Sequence, residues 1–335
     1  LKLSVKNYNL ALDIYLSISN SGIKKFMPHL ANTHFALAEA YLKAHDFYNA
    51  KTHFKEALKL YDQSHNFDFD ALKANVYYQL GNIYTEEFNE HDAKVNYLKS
   101  LTLFEHLTTQ EPQRFQAFLA AVYNNLGVTS KSMGDYNKAL EYYEKALEHY
   151  EFLNTHQNIL FLPYVAATYN SLGILHAEIK DFEKAIAFLH KTSAVYNDLV
   201  NEAPEAYTHY LATALHNLGL FYFELKNTNS AEYYFNEALT MRRALALHEP
   251  DAFDADVCVT SLNLIELYQN QLESSLDFNL KTKCLELLTD VETRLKPYDD
   301  ERAVLKSMKS DCLYYKDYFN TVTIEALRLT DVLKK

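Results

Sequence analysis

Ala120–Ala146 reads AAVYNNLGVTSKSMGDYNKALEYYEKA, and the spacing inside it recurs along the chain. Leu126-Gly127 lies 46 residues after Leu80-Gly81 and 46 before Leu172-Gly173, and Leu218-Gly219 follows at the same interval. These pairs hold four of the chain's 6 glycines. A constant period of this size marks a repeat array, in which each unit is one supersecondary element that buries its apolar face by stacking on its neighbours.

With each glycine numbered as position 8, position 20 is Ala93, Ala139, Ala185 and Ala231, and position 24 is Tyr97, Tyr143, Leu189 and Phe235. Position 27 is Ser100, Ala146, Thr192 and Ala238. Small residues let two antiparallel helices approach closely, and the bulky one fills the gap between units. The pattern resembles the tetratricopeptide repeat, with Tyr77, Tyr123 and Tyr169 at position 4 and Tyr84 and Tyr222 at position 11; the large residue is Tyr or aliphatic, since the chain has no Trp. The resemblance implies an all-α fold, a right-handed superhelical solenoid of antiparallel helix pairs. The family's common unit has about 34 residues, so these units carry longer helices. Such long units resemble the arrays of kinesin light chains and of bacterial signalling proteins.

The register extends to Leu37-Ala38 upstream, with Tyr41, Ala50, Phe54 and Ala57 in place. Tyr8, Ala11 and Tyr15 are spaced like Tyr136, Ala139 and Tyr143, although Ile18 stands where a small residue belongs. Residues 1–20 therefore read as a partial repeat, a second helix alone. Downstream, Leu264 keeps the period, but Ile265 replaces Gly and Asp277 falls on the Ala position. Apolar residues at Leu276, Leu280, Cys284, Leu287, Leu288, Val291 and Leu295 keep helical spacing there. The array spans 28–295 in about six units, read as one domain. Residues 298–335 form a divergent helical cap, with helices expected near 300–317 and 320–333. Pro28, Pro112, Pro163, Pro204 and Pro250 fall between repeats, where a helix stops and another starts. Gly134 marks a tight turn within its repeat. A start at Leu1 rather than Met suggests a piece of a longer or processed protein.

Formal net charge is −12, with acidic residues dispersed, which argues against a nucleic-acid surface. No apolar run reaches membrane-spanning length, and no signal-peptide pattern opens the chain. Three widely spaced cysteines, Cys258, Cys284 and Cys312, fit core residues in a reducing cytoplasm. The 14 histidines include no His-Glu-x-x-His and no pair four apart, and no glycine-rich phosphate loop occurs. The chain is expected to be no enzyme and to carry no cofactor or metal.

In the resemblance, positions 2, 5, 6, 9, 12 and 13 of the first helices line the concave groove. Position 6 holds Gln79, Asn125, Ser171, Asn217 and Asn263, and position 5 holds Tyr78, Asn124, Asn170 and His216. An amide both donates and accepts, so a ladder of them can pair with the backbone of an extended peptide; the same ladder can also satisfy packing between neighbouring first helices. Glu39, Glu86, Glu178, Glu224 and Glu266 stand at positions 9 or 13 against only Lys43 and Lys131. A neutral or basic peptide therefore suits the groove better than an acidic one. No Lys occurs at positions 2 and 5, which disfavours a clamp for a chaperone-tail carboxylate. Most of the 27 Tyr read as packing, Tyr222 among them, whereas Tyr78, Phe35 and Phe223 fall on groove positions. The function expected is a protein-interaction scaffold holding a peptide or partner segment in the groove. The alternatives are a regulatory or sensor segment of a larger effector, and a self-association module.

Overall fold

The small-residue positions become the closest approaches of the fold. A computed structural model describes residues 2–20, 26–63, 69–157, 159–272, 278–298 and 303–333. Among these residues the chain forms fourteen α-helices: α1 (Lys2–Asn20), α2 (Met27–Lys43), α3 (Phe47–Gln63), α4 (Asp70–Glu86), α5 (Glu90–Gln110), α6 (Pro112–Ser132), α7 (Tyr136–Gln157), α8 (Leu162–Glu178), α9 (Phe182–Glu202), α10 (Pro204–Glu224), α11 (Thr228–His248), α12 (Pro250–Leu272), α13 (Phe278–Leu295) and α14 (Ala303–Leu333). The chain divides into two compact units, Leu1–Leu162 and Pro163–Lys335. Consecutive helices pack on one another: α1 through α6 in series with α7 on α6 in the first unit, and α9 through α14 in series in the second.

Within each of the four repeats that carry the glycine, the first helix presents it to the large residue of the second. A methyl group built on Gly81 would stand 2.4 Å from the Tyr97 ring, on Gly127 2.6 Å from Tyr143, and on Gly219 2.5 Å from Phe235. Those three rings are buried, as are the alanines at position 20. The hydroxyls at position 27 also serve the hairpin: Ser100 Oγ donates to the Ala74 carbonyl at 2.8 Å. Lysines one residue before position 27 add a recurrent contact, with Lys99 over Tyr77 at 5.2 Å, Lys145 over Tyr123 at 5.3 Å and Lys191 over Tyr169 at 5.2 Å.

The turn inside each of the first five hairpins has one construction. Its central residue is left-handed: His45 (φ 56°), Phe88 (57°), Gly134 (76°), Lys180 (66°) and Lys226 (58°). The next residue's N–H returns to a carbonyl five residues back, as in Asn89 to Tyr84 at 2.9 Å and Asp181 to His176 at 2.8 Å. That residue is always Asp or Asn, and its side chain accepts the backbone N–H three residues on: Asp46 from Asn49, Asn89 from Asp92, Asp135 from Lys138, Asp181 from Lys184 and Asn227 from Ser230. The prolines open helices, Pro112, Pro204 and Pro250 at their first residue.

One expectation is corrected. The two helices expected beyond residue 300 are a single one, α14, Ala303–Leu333. No glycine or proline interrupts that span, and the polar stretch near Asn320 does not by itself stop a helix. Asp277 and Leu276 of the degenerate sixth unit lie outside the described residues. Ile265, in place of the glycine, is buried, and Cys258, Cys284 and Cys312 are buried free thiols. Burial pushes the Cys258 and Cys284 thiols up to about 12 and Cys312 to about 11, so all three are held as thiols rather than thiolates.

Candidate functional site

The candidate site is built from the first helices. In the first unit, Asn125 on α6 reaches back to α4, its Nδ2 donating to Asn82 Oδ1 at 3.0 Å and to the Tyr78 hydroxyl at 3.3 Å. Tyr97 from α5 donates to the same Asn82 oxygen at 2.8 Å, and Asn82 Nδ2 donates to Gln79 Oε1 at 3.1 Å. Gln79 in turn donates to Asn75 at 3.5 Å. The Tyr78 and Tyr97 rings lie 6.0 Å apart. Burial pushes the Tyr97 hydroxyl up to about 12, so it remains a donor.

In the second unit, Asn217 Nδ2 on α10 donates to Asn170 Oδ1 on α8 at 3.5 Å, and Asn263 on α12 pairs with His216 Nε2 on α10 at 3.4 Å. All three rungs obey one rule: the position-6 amide bonds to the position-5 residue of the preceding repeat, 47 residues earlier. The other ring nitrogen of His216 meets Thr260 Oγ1 at 3.2 Å, and that oxygen also takes a bond from the Arg242 guanidinium. His216 is buried, and burial followed by the Arg242 charge lowers its pKa to about 3. The neutral imidazole is thus a fixed part of the stack.

The remaining groove candidates divide by exposure. Glu178 and Glu224 are exposed, as are Glu86 and Glu266, while Asn124, Gln79 and Tyr78 are half-buried. Phe35 packs edge-on against Phe54 at 5.9 Å, and Phe223 packs against the core of the second unit, so both contribute to stacking. Tyr222 stacks on Tyr234 at 5.4 Å and meets His190 Nε2 at 3.0 Å. The Glu266 carboxyl is raised by partial desolvation, then by the charges of Glu224 and of Asp311 on α14. That stretch of wall is therefore a concentrated negative field.

A pocket of about 330 Å³ opens beside Asn125, lined by Asn82, Thr85, Glu86, Tyr97, Asn125 and Val128. Sequence reasoning did not reach Asn82, Thr85 or Tyr97 as site residues. Asn82 and Thr85 occupy positions 9 and 12, so a reading of every groove position finds them; Tyr97 at position 24 reads only as packing. Among the described residues no three His, Cys, Asp or Glu side chains converge as metal ligands would, and no helix is long and apolar enough to cross a membrane.

Helical hairpins with a constant small-residue seam, joined by an identical turn and laced first helix to first helix, define a helical-repeat solenoid, a class whose members present surfaces to other proteins. Tetratricopeptide-repeat profiles match residues 74–106, 118–198 and 164–244. The chain belongs to the tetratricopeptide-repeat family. It is similar in fold to BtubC (BKLC) from P. vanneervenii, at 21% identity over 73% of this chain and 91% of that one, TM-score 0.57. It is also similar to a signal-transduction ATPase with a tetratricopeptide repeat sensor from Pyrococcus horikoshii, at 16% identity over 92% of this chain and 44% of that one, TM-score 0.62. The apo form of RapI matches at 14% identity over 89% and 97%, TM-score 0.57. No curated protein matches by sequence.

Proposed function

We propose that this protein-interaction module holds an extended peptide or partner segment along its first helices, through the position-6 amides. The observation that carries the reading is the state of those amides. Asn125, Asn217 and Asn263 each spend Nδ2 on the preceding repeat, while Oδ1 has no donor among the described residues. Oriented, unused carbonyl acceptors of this kind, Asn125 in the first unit and Asn217 with Asn263 in the second, suit the N–H groups of an extended backbone. Asn124, Asn170, Gln79, Tyr78, His216 and Phe223 belong to the same set of first helices, and Glu178 and Glu224 are exposed on theirs. Their carboxylates favour a neutral or basic ligand over an acidic one.

The test is a peptide selected on the immobilised chain. Replacing Asn125, Asn217 and Asn263 together by Ala is expected to abolish its binding at a temperature where circular dichroism shows unchanged helicity. Unchanged binding would overturn the groove assignment. A second reading, a sensor segment of a larger signalling protein, draws support from the archaeal ATPase, of which this chain covers 44%. Its test is the reading frame on both sides of Leu1 and Lys335: an adjoining effector domain is expected, and a stop at both ends would refute it.

A further inference from the structure

The pocket beside Asn125 has an unbalanced inventory of hydrogen-bonding groups. Its side chains carry six polar hydrogens: two each on Asn82 and Asn125, one each on Thr85 and Tyr97. Five are committed inside the protein. Asn125 gives its two to Asn82 and Tyr78, Tyr97 gives its one to Asn82, and Asn82 gives one to Gln79. Thr85 Oγ1 donates to the Gly81 carbonyl at 3.1 Å. What remains open is mostly acceptor: Asn125 Oδ1, the one lone pair of Thr85 Oγ1 that its 3.2 Å contact with the Tyr97 hydroxyl leaves over, and the Glu86 carboxylate, which makes no hydrogen bond or ion pair among the described residues.

Charge points the same way. Glu86 is exposed at the last turn of α4, and its field reaches the Tyr97 hydroxyl. Among the described residues no Lys or Arg lines the pocket to neutralise it. An incoming anion or carbonyl would meet acceptors and a negative charge, and a desolvated mismatch of that kind is costly. A group rich in N–H donors and positively charged satisfies every open acceptor, leaving only the second Asn82 N–H unmatched. At about 330 Å³ the space is at the small end of ligand pockets, which suits one side chain rather than a whole metabolite. Val128 supplies an apolar surface for the methylenes of a long side chain, whose charged head then meets Glu86.

We propose that this pocket is a subsite for one cationic side chain, lysine or arginine, of the peptide bound along the first helices. The inference rests on the groove reading and adds the chemistry of a single position. A guanidinium or ammonium donates to Asn125 Oδ1 and Glu86, and the internal bonds of Asn82 and Tyr97 hold those acceptors in place before the ligand arrives. The neighbouring Asn125 oxygen is the one acceptor shared between side-chain and backbone recognition.

The experiment uses the full chain and a random-sequence peptide library, selected in parallel on the wild type and on Glu86→Gln. Wild-type selection should return peptides with Lys or Arg at one fixed register, and selection on Glu86→Gln should lose that register while keeping the others. In a recovered peptide, replacing Arg by the neutral isostere citrulline, or Lys by norleucine, should weaken binding to the wild type about tenfold and to Glu86→Gln by less than about twofold. The two arms distinguish a guanidinium from an ammonium site. Peptides recovered without a fixed cation, or an undiminished citrulline or norleucine effect in Glu86→Gln, would overturn the subsite and leave the groove standing. Recovery of no peptide at all would overturn the groove reading and this one with it.

Discussion

Gly127→Ala should destabilise the protein while Gly173→Ala should not, although both change the same position of neighbouring repeats. The added methyl at 127 would stand 2.6 Å from two carbons of the Tyr143 ring and 3.0 Å from a third. Ordinary carbon contacts lie at about 3.5–4.0 Å, so the ring or the helix must move by about 1 Å. Tyr143 is only 1% exposed, leaving the ring no free space. Overpacking of this kind costs about 1–3 kcal/mol, and the better helix propensity of Ala returns about 1 kcal/mol. The net expectation is a loss of about 0–2 kcal/mol. At Gly173 the nearest atoms are Leu189 Cγ at 3.1 Å and the Ala185 carbonyl at 3.2 Å, a much smaller overlap with a branched aliphatic neighbour. There the propensity gain should balance or exceed the packing cost. Urea unfolding followed by helical circular dichroism reads the difference through the midpoint, with a constant slope as the check that the same surface unfolds. A double change, Gly127→Ala with Tyr143→Leu, should show favourable coupling, because it reproduces the Gly173–Leu189 chemistry with room to spare. Equal destabilisation at 127 and 173, or a Gly127→Ala protein more stable than the wild type, would refute the reasoning.

The left-handed turns give opposite signs at equivalent sites. Phe88→Gly should stabilise by up to about 1 kcal/mol, since a non-glycine residue at positive φ costs about 1–2 kcal/mol and glycine's unfolded-state entropy returns only part of it. Gly134→Ala, which meets no atom within 4 Å, should destabilise by about 1 kcal/mol from φ alone; the same urea midpoints decide. His34 Nδ1 stands 2.9 Å from His53 Nδ1, and burial, then His53, lowers its pKa to about 4 against an opposing Glu56. The unfolded chain therefore binds the proton first, and this contribution to stability, full above about pH 6.5, is lost as the pH falls toward 4. The wild type should lose more stability between pH 7 and pH 5 than His34→Gln does, and parallel pH profiles would exclude the effect. Arg242 is buried and bonded to Thr260 and the Asp256 carbonyl, where the other repeats place Tyr61, Phe104, Tyr150 and Tyr196. Arg242→Phe should be neutral or stabilising and should raise the His216 pKa from about 3, measured by NMR titration; an unchanged His216 would show that burial alone sets it.

The seam between paired helices was legible because it depends on residue size, and size is written directly in the sequence. Gly81, Ala93 and Tyr97 can do little else at their spacing. The turns were legible only at Gly134. His45, Phe88, Lys180 and Lys226 adopt the same left-handed geometry without a glycine, because an Asp or Asn cap and the returning backbone bond outweigh the local strain. The candidate site was half legible. The register located Asn125, Asn217 and Asn263 at the same position of their helices, but a repeat position does not say which way an amide turns. The 47-residue step from position 6 to position 5 is a property of how repeats stack, invisible to a period of 46. The single helix α14 and the buried Arg242 were missed because each departs from the repeat that guided the reading.

A position-6 asparagine is a better choice than any apolar residue for a scaffold that must both stack and bind. Its Nδ2 is consumed by the preceding repeat, which fixes the side-chain rotamer and removes the entropy cost of ordering it later. The same bond fixes where Oδ1 lies, so each rung presents an acceptor whose direction is set by the neighbouring repeat rather than by the ligand. Serine at 171 donates instead to the Ala167 carbonyl of its own helix at 3.0 Å, and glutamine at 79 bonds within its own helix. Those two rungs are locked by local bonds and offer nothing comparable across repeats. The proposed groove therefore predicts uneven recognition: strongest where Asn125 combines a fixed acceptor with the Glu86 charge, and weakest where the rung is turned back on its own helix.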